Sequence, residues 1–388
     1  MNKKILIIIV VLILILGVSS IYDLYKNNDE EILNIEENII ENEYPEEWMD
    51  NGIFSENYGK AYKKLEMLTT EEKIGQLLLV RYPDNNAGEI LKEYKFGGYL
   101  LFKKDFDNKT EEDVIQELAK LQEISDIPIL IAVDEEGGNV VRVSSNKNLS
   151  DKKFKSPMEL YKIGGFEEIE KDTIEKSDVL KKLGINLNLA PVVDISTNPK
   201  DFIYKRTLGE GSKLTAEYAK TVISSSKGRG VSYTLKHFPG YGNNSDTHTG
   251  SAIDNREYEY IANNDLVPFK EGIEAGAEAV LVNHNIVTSI DAENPASLSL
   301  NVHKILREKL NFTGIIMTDD ISMQAVSEDP EAIEKSILAG NDIMIVTDYK
   351  SAVYDIKQAL ERKIISQKDI DHMVFRILAW KYYKGLIN

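Results

Sequence analysis

The stretch from Lys236 to His248 combines residue types that can bind a polar ligand and move protons. A strand-like run, 231–235, ends at Lys236 and His237, and a loop rich in Gly, Pro and Asn follows at once. Such loops commonly carry binding and catalytic groups. Asp246 lies two residues before His248, close enough for its carboxylate to orient the imidazole if the loop folds back. This couple indicates an acid/base device.

Two adjacent carboxylates, Asp319 and Asp320, follow the short apolar run 314–318. An ion at the end of an otherwise buried strand is costly unless it serves a purpose. We therefore expect at least one of the two to face a polar site, with Asp319 as candidate nucleophile or stabilising anion. The alternative is that one of them caps the next helix, as Asp often does.

An acidic turn, 134–138, contains paired glycines that let the backbone turn sharply and approach a ligand closely. Asp134 at its start can accept two hydrogen bonds from vicinal hydroxyls, as in a pocket that holds a sugar. Acid-rich Gly turns are also common on surfaces. By themselves, Arg142 and Arg206 are explained as solvated charges.

The elements that must position these residues recur along the chain after Tyr62. Runs rich in Ile, Val and Leu alternate with amphipathic stretches. The predicted strands are Gln76–Arg81, Gly98–Phe102, Ile129–Val133, Asn186–Pro191, Ser232–His237, Ala279–His284, Gly314–Thr318 and Asp342–Val346. The predicted helices include Glu111–Ile124, Lys213–Ser226, Asp265–Ala275 and Glu331–Ala339, with Thr110 and Asn264 as N-caps. Eight such units over about 330 residues favour an α/β fold of the (β/α)8 TIM type.

A doubly wound open sheet has the same periodicity and is the competing architecture. Polar residues at the ends of the predicted strands favour the barrel, because those ends converge on one mouth. They are Asp134, Glu135, Asp194, Lys236, His237, His284, Asp319, Asp320 and Asp348. His284 is equally well explained as a core histidine. No Gly-rich phosphate loop follows a predicted strand, so no nucleotide is indicated.

Composition excludes several classes of function. The 388 residues carry a formal net charge of -18, which disfavours nucleic acid as a partner. The absence of cysteine excludes disulfides, thiolate catalysis and Cys-ligated metals. The five histidines form no H-x-x-x-H pair, so we predict no metal site and no cofactor.

The N-terminal sequence predicts export. Lys3 and Lys4 precede an apolar run, 5–18, so residues 1–26 are interpreted as a signal peptide or membrane anchor. Val18-Ser19-Ser20 is a passable cleavage site, yet the stretch just reaches spanning length, and we favour an uncleaved anchor. Residues 27–50 are interpreted as an acidic linker, with a frayed surface helix as the alternative. The catalytic domain is then predicted at 51–388, outside the cytoplasm and either membrane-anchored or secreted.

Taken together, the motifs resemble those of the family 3 glycoside hydrolases, and specifically their single-domain bacterial β-N-acetylglucosaminidase branch. The resemblance covers roughly residues 60–385, and its motifs occur in the family's order. They are Lys236-His237-Phe238-Pro239-Gly240 with Asp246-Thr247-His248, Thr318-Asp319-Asp320-Ile321-Ser322-Met323, Asp134-Glu135-Glu136-Gly137-Gly138 and Ala190-Pro191-Val192-Val193-Asp194.

The resemblance implies a role for each matching position. Asp319 would be the nucleophile that forms a covalent glycosyl-enzyme, and His248, oriented by Asp246, would be the general acid/base. The substrate-binding positions would be Asp134, Arg142, Arg206, Lys236 and His237. Tyr241 departs from the pattern, because this branch usually has a second His there, which puts contacts to the leaving group or loop mobility in doubt.

The resulting hypothesis is a retaining exo-β-N-acetylglucosaminidase that acts on peptidoglycan fragments, a small glycan or muropeptide substrate. The alternatives on the same site are a β-glucosidase and a β-N-acetylglucosaminide phosphorylase. An alternative of another class is a non-catalytic glycan-binding protein displayed at the cell surface.

Overall fold

A cylinder of eight parallel strands stands at the centre of the computed structural model, which describes residues 44–242 and 252–387. Within these residues the strands of the cylinder are β1 (Leu78–Arg81), β2 (Gly98–Leu101), β3 (Leu130–Val133), β4 (Leu187–Asn188), β5 (Ser232–Phe238), β7 (Ala279–Val282), β9 (Ile315–Thr318) and β10 (Met344–Val346). Two further strands, β6 (Ile253–Asp254) and β8 (Ile286–Val287), pair in parallel with each other in a separate sheet.

The strands follow one another around the sheet in chain order, and β10 pairs with β1. A parallel bridge between Met317 and Ile343 joins the two ends of this order, so the sheet nearly closes on itself. Leu, Ile, Val and Ala supply most of the strand residues, and nearly all are buried, as expected for parallel strands covered on both faces. The predicted (β/α)8 barrel is confirmed.

Helices connect the strands and cover the outside of the barrel. They are α1 (Tyr58–Glu66), α2 (Thr70–Gln76), α3 (Ala87–Tyr94), α4 (Glu111–Glu123), α5 (Pro157–Lys182), α6 (Ser212–Ser226), α7 (Tyr258–Asn263), α8 (Leu266–Glu274), α9 (Leu300–Lys304), α10 (Gln324–Ser327), α11 (Ala332–Ala339), α12 (Tyr349–Glu361) and α13 (Gln367–Tyr383). A short π-helical stretch, Ile305–Lys309, continues α9.

One of the two predicted N-caps is right and the other is wrong. The Thr110 side chain accepts a hydrogen bond from the backbone N–H of Asp113 and forms a capping box that begins α4. Asn264 instead ends α7, where its Nδ2 donates to the carbonyl of Tyr260, and Asp265 occupies the position before α8. The sequence alone did not separate these two adjacent helices.

The C-terminal helix α13 contacts residues at the N-terminal ends of several strands. Lys381 Nζ donates to Gln76 Oε1 just before β1, over 2.7 Å. The indole N–H of Trp380 donates to Glu278, just before β7, also over 2.7 Å. This helix therefore covers the end of the barrel opposite the C-terminal mouth, and the mouth is left for a site.

In the part of the chain that the structure describes, no helix has both the length and the apolar character needed to cross a membrane. The predicted anchor at 1–26 and all but the end of the predicted linker lie outside that part. The compact unit that contains the barrel begins at Asp50.

Candidate active site

A cavity of about 550 Å³ opens at the C-terminal mouth of the barrel. Its wall contains residues from the ends of β1, β2, β3, β5 and β9 and from the segments that follow them. It brings together Asp134, Arg142, Arg206, Lys236, His237 and Asp319, all named from the sequence as site residues. Asp246 and His248, the other two, lie outside the described residues.

A network of buried charges forms one side of this cavity. Lys236 Nζ lies 2.7 Å from Asp134 Oδ1 and 2.7 Å from Glu136 Oε1, so one ammonium bridges two carboxylates. Arg206 donates to both oxygens of Glu136, from Nε over 2.9 Å and from Nη2 over 2.7 Å. Such two-point pairs fix the orientation of both planar groups.

The charges in this network determine each other's ionisation. Burial would raise the pKa of Glu136, but the Arg206 guanidinium and the Lys236 ammonium together lower it to about 2. Burial also opposes ionisation of Asp134, and Lys236 and Arg142 outweigh it and hold that pKa well below its ordinary value. Both carboxylates are therefore ionised at neutral pH.

The His237 imidazole is fixed in one tautomer. Its Nδ1 lies 2.6 Å from Asp194 Oδ2, and because a carboxylate only accepts, Nδ1 carries the proton. Its Nε2 lies 3.1 Å from Nη2 of Arg206, which can only donate, so Nε2 accepts. The ring of His237 is thus held from both sides.

Tyr241, the position that departs from the family pattern, packs behind the cavity wall. Its ring is buried and meets the rings of Phe202 and His237 edge-on, with centroids 4.9 and 5.0 Å away. Its backbone N–H donates to Asp194 Oδ1 over 2.7 Å. Tyr241 therefore supports the Asp194 and His237 pair, and it does not line the described cavity.

The two carboxylates after β9 have different surroundings. Asp320 is tied to its neighbours: Oδ1 accepts from the backbone N–H of Ser322, and Oδ2 accepts from the Thr347 hydroxyl, each over 2.9 Å. Within residues 44–242 and 252–387, Asp319 accepts one hydrogen bond, from the backbone N–H of Asp320 over 2.9 Å. Among the described residues no cation pairs with Asp319. It is the carboxylate available to a ligand, and neither residue caps α10, which begins after Met323.

The acidic turn after β3 is built by its middle residue. Glu135 is fully buried, and its carboxylate accepts from the backbone N–H groups of Arg142 and Val143, each over 2.7 Å. This closes the turn and positions its neighbours. Asp134 faces one side, where Arg142 Nη2 lies 3.2 Å from its Oδ2, and Glu136 faces the Arg206 side.

Glu136, Asp194 and Phe102 contribute to the site but were given no role from the sequence. Glu136 lies in a run of three acids, and nothing in the run tells which one points into the barrel. The sequence did contain a signal for a second carboxylate. Three cations were predicted to bind substrate, and only one predicted substrate-binding carboxylate, Asp134, was there to balance their charge. Phe102 has its ring 5.2 Å from the Arg142 guanidinium carbon, a contact that requires the fold to be known.

His284 is a core histidine. Its Nε2 donates to the carbonyl of Asp320 over 3.0 Å, and its Nδ1 lies 2.6 Å from the Ser297 hydroxyl. It is fully buried and does not line the cavity. Among the described residues no cluster of His, Asp and Glu has the arrangement of a metal site.

A barrel mouth that combines a network of buried charged groups with an available carboxylate is the arrangement of an enzyme that acts on a polar substrate. The family profile described as "Glycosyl hydrolase family 3 N terminal domain" matches residues 69–380. The chain belongs to this family and is a glycoside hydrolase.

The similar proteins within the family include several named β-hexosaminidases. A β-hexosaminidase of Xylella fastidiosa (strain M23) is 32% identical over 245 residues, which are 61% of this chain and 70% of the relative. The β-hexosaminidase LpqI of Mycobacterium tuberculosis (strain ATCC 25618 / H37Rv) is 29% identical over 330 residues, 81% of this chain and 83% of LpqI.

A solved structure of a family member also resembles this chain. The family 3 β-N-acetylglucosaminidase from Paenibacillus sp. str. FPU-7 superimposes with a TM-score of 0.77 at 30% identity. The match covers 82% of this chain and 63% of the Paenibacillus chain, so part of that longer protein has no counterpart here.

Proposed function

We propose that the protein is a retaining exo-β-N-acetylglucosaminidase that removes terminal N-acetylglucosamine from peptidoglycan fragments. The observation that carries this proposal is the contrast within the cavity between Asp319, which has no cationic partner among the described residues, and Asp134 and Glu136, which are held by three cations. The named activities of the hexosaminidase relatives support the choice of sugar.

The charge network is suited to hold the sugar before reaction. The carboxylate of Asp134 accepts from vicinal hydroxyls, while Lys236 and Arg206 donate to hydroxyl oxygens without moving, because Glu136 already fixes them. A sugar held in this way loses its translational and rotational freedom when it binds, so less entropy is lost on reaching the transition state.

The chemistry follows in two displacements. Asp319 Oδ attacks the anomeric carbon while the bond to the leaving oxygen breaks, and His248 gives its proton to that oxygen. Water then attacks the glycosyl-enzyme, His248 takes a proton from the water, and Asp319 is released. An imidazole, with an ordinary pKa of about 6.5, exchanges these roles near neutral pH, and Asp246 stabilises its cationic form.

The first test compares substrates. Aryl β-N-acetylglucosaminide and aryl β-glucoside are incubated with the protein, with and without phosphate, and mass spectrometry follows the products from defined cell-wall fragments. We expect hydrolysis of the N-acetylglucosaminide independent of phosphate. Faster turnover of the glucoside would favour the β-glucosidase, and a glycosyl phosphate product would favour the phosphorylase.

The second test compares variants. Asp319→Ala should lower kcat for the aryl N-acetylglucosaminide by about 1,000-fold or more, because a nucleophile is removed. Asp320→Asn is the neighbouring control and should retain a much larger share of kcat. Unchanged turnover by Asp319→Ala would refute the mechanism. Muropeptide binding without any turnover by the wild type would identify a glycan-binding protein.

We further propose that residues 1–26 tether the enzyme to the membrane with the barrel outside the cytoplasm. Two lysines before an apolar run and acidic residues after it support this orientation. Protease added to intact cells should degrade the barrel domain. Recovery of the intact chain from the cytosolic fraction would contradict the proposal.

A further inference from the structure

We propose that Arg81 recognises a carboxylate on the leaving group of the substrate. Arg81 ends β1 and lines the same cavity as Asp134 and Asp319. Its guanidinium carbon lies 4.5 Å from the ring centroid of Phe102, on which the Arg142 guanidinium also packs. This inference rests on the proposed glycosidase function and adds a requirement on the substrate.

Arg81 differs in its bonding from the other cations that line the cavity. Arg142, Arg206 and Lys236 each pair with Asp134 or Glu136. Within residues 44–242 and 252–387, Arg81 makes neither an ion pair nor a side-chain hydrogen bond.

Two carboxylates that feel the charge of Arg81 from outside the cavity are bonded elsewhere. Asp84 forms a salt bridge with Lys104. Asp105 Oδ2 accepts from the backbone N–H of Phe102 over 2.7 Å. Neither of them occupies the N–H groups of Arg81.

The geometry of this contact suits a flat anion. A guanidinium that stacks on an aromatic ring uses its face and leaves the N–H groups along its edge for a ligand. Two parallel N–H groups of that edge match the two oxygens of a carboxylate. Phe102 thus restricts the orientation of Arg81 without competing for its donors.

The charge of Arg81 also needs a partner during the reaction. The sugar ring gains positive charge in the oxocarbenium-like transition state of glycoside hydrolysis. Arg81, which pairs with no carboxylate of the described residues, would raise the energy of that state by Coulomb repulsion, although the cavity also holds the carboxylate of Asp319. A substrate anion beside Arg81 cancels this repulsion.

The anion must lie on the leaving group, because a terminal N-acetylglucosamine carries no charge. The ligand is therefore a sugar acid or a peptide-bearing sugar joined to that residue. A carboxylate on an ether substituent of the second sugar and a carboxylate of an attached peptide share this chemistry.

The experiment uses disaccharides that share the β-linked N-acetylglucosamine. The leaving sugar is N-acetylmuramic acid with its free lactyl carboxylate, the same sugar as its neutral lactyl methylamide, or the same sugar with one alanine on the lactyl group. The measured quantity is kcat/KM for each acid divided by kcat/KM for the methylamide. It is determined for the wild type, Arg81→Gln and Arg81→Lys.

We expect Arg81→Gln to lower this preference for the acid on the order of 10-fold to 100-fold, the range for charge-assisted hydrogen bonds. Arg81→Lys should restore part of the preference, since it keeps the charge and loses the two-point geometry. Lys103→Gln is the matched control: Lys103 is exposed, lies next to Phe102 and does not line the cavity, so the preference should stay at the wild-type value.

The outcomes separate the sources of the anion. A loss for the free lactyl acid alone identifies the lactyl carboxylate, and a loss for the alanyl compound alone identifies the peptide carboxylate. An equal fall for acids and methylamide, or an equal effect of Lys103→Gln, would overturn the inference, since Arg81 would then act through structure or overall charge.

Binding of the leaving sugar by itself distinguishes this inference from the proposed function. Calorimetry compares the affinity of the wild type and Arg81→Gln for N-acetylmuramic acid and its methylamide. An Arg81-dependent preference in a protein that hydrolyses none of the disaccharides would refute the glycosidase and uphold the recognition. The absence of any such preference would refute the role of Arg81 whatever the turnover.

Discussion

Glu136 is the residue on which the cavity network depends most. Its carboxylate is paired at once with Arg206 and Lys236, and its side chain is 2% exposed. A buried carboxylate is stable there because its attraction to two cations offsets the free energy lost with its hydration. The same pairing holds both cations at the cavity wall, where we propose that they bind substrate hydroxyls, so the stability of the fold and the geometry of the site depend on one group.

Replacement of this charge provides a test at the residue scale. Glu136→Gln keeps the shape and removes the charge that holds Arg206 and Lys236, so we expect a loss of about 3 kcal/mol in the free energy of unfolding at neutral pH. We also expect kcat/KM to fall by at least about 100-fold, because two hydroxyl-binding groups lose their orientation. Denaturant unfolding and steady-state kinetics measure the two effects.

The pH dependence of stability tests whether the charge of Glu136 causes the expected loss. The pKa of Glu136 is lowered in the folded state from 4.5 to about 2, so its contribution is complete above pH 4.5 and disappears as the pH falls toward 2. The Gln variant should lack this part of the acid transition. Glu167→Gln, which removes an exposed partner of Lys171 on α5, is the control and should leave the stability nearly unchanged. Equal losses from both variants would contradict the role given to Glu136.

The sequence predicts the residues of the site better than their connections. Asp134, Lys236 and Asp319 could be placed at one barrel mouth because each follows an apolar run, and parallel strands bring such ends together. Glu136 could not, since the direction of a side chain within a turn depends on the hydrogen bonds that Glu135 makes with the backbone. Tyr241 could not either, because its partners Phe202 and His237 come from distant segments.

At the scale of elements, strands were predictable and their ends were not. The run Asn186–Pro191 alternates asparagine with leucine before Ala190 and Pro191, yet its ladder covers only Leu187–Asn188. Asn264 was predicted to begin a helix that Asp265 precedes instead, since two short helices meet there and a cap signal does not tell which of them it serves. The spacing of hydrophobic residues indicates whether a segment is a helix or a strand. The residues at which the segment begins and ends depend on tertiary contacts.

Helix α13 supplies a test at the scale of elements. Lys381 is fully buried beneath the barrel, and burial lowers its pKa from 10.5 to about 7. Because the folded pKa lies below the unfolded one, the unfolded chain binds more protons between pH 7 and 10.5, and stability rises with pH across that window. The cost of this lysine is therefore greatest at and below pH 7.

Lys381→Met should remove that slope. We expect the free energy of unfolding of the wild type to increase by roughly 3 kcal/mol between pH 7 and pH 10, and that of the variant to increase by much less. Lys381→Met also takes from Gln76 Oε1 the donor it has at 2.7 Å, a loss that does not change with pH and so leaves the test of the slope intact. Lys92→Met, at an exposed position of α3, should keep the wild-type slope; the same slope in Lys381→Met would show that the buried amine is not its source.

At the scale of the whole molecule, one ion network joins the beginning and the end of the barrel domain. Asp342, just before β10, accepts from Arg376 Nε and from Arg307 Nη2, each over 2.8 Å. Arg376 Nη1 also lies 3.1 Å from Asp50, more than 300 residues earlier in the chain. The contacts across the network link helix α13, the last strand and the first residue of the compact unit, in a chain whose net charge of -18 otherwise favours expansion.

Arg376→Met should therefore destabilise the entire barrel in one transition. The variant leaves Asp342 and two carbonyl oxygens, those of Thr313 and Gly314, with fewer donors in a buried place, so we expect a loss of about 3–5 kcal/mol. Lys182→Met removes a salt bridge between α5 and α4 that is exposed on both sides, and it should cost no more than about 1 kcal/mol. Chemical unfolding followed by tryptophan fluorescence is informative because Trp380 lies one turn from Arg376 on α13.

Kinetics give the second readout. Arg376 lies at the end of the barrel opposite the cavity, so the folded fraction of Arg376→Met should retain the wild-type KM for the aryl N-acetylglucosaminide. If Arg376→Met kept the wild-type stability, the ion network would not stabilise the barrel. If the folded variant bound substrate more weakly, the network would also affect the cavity at the opposite end.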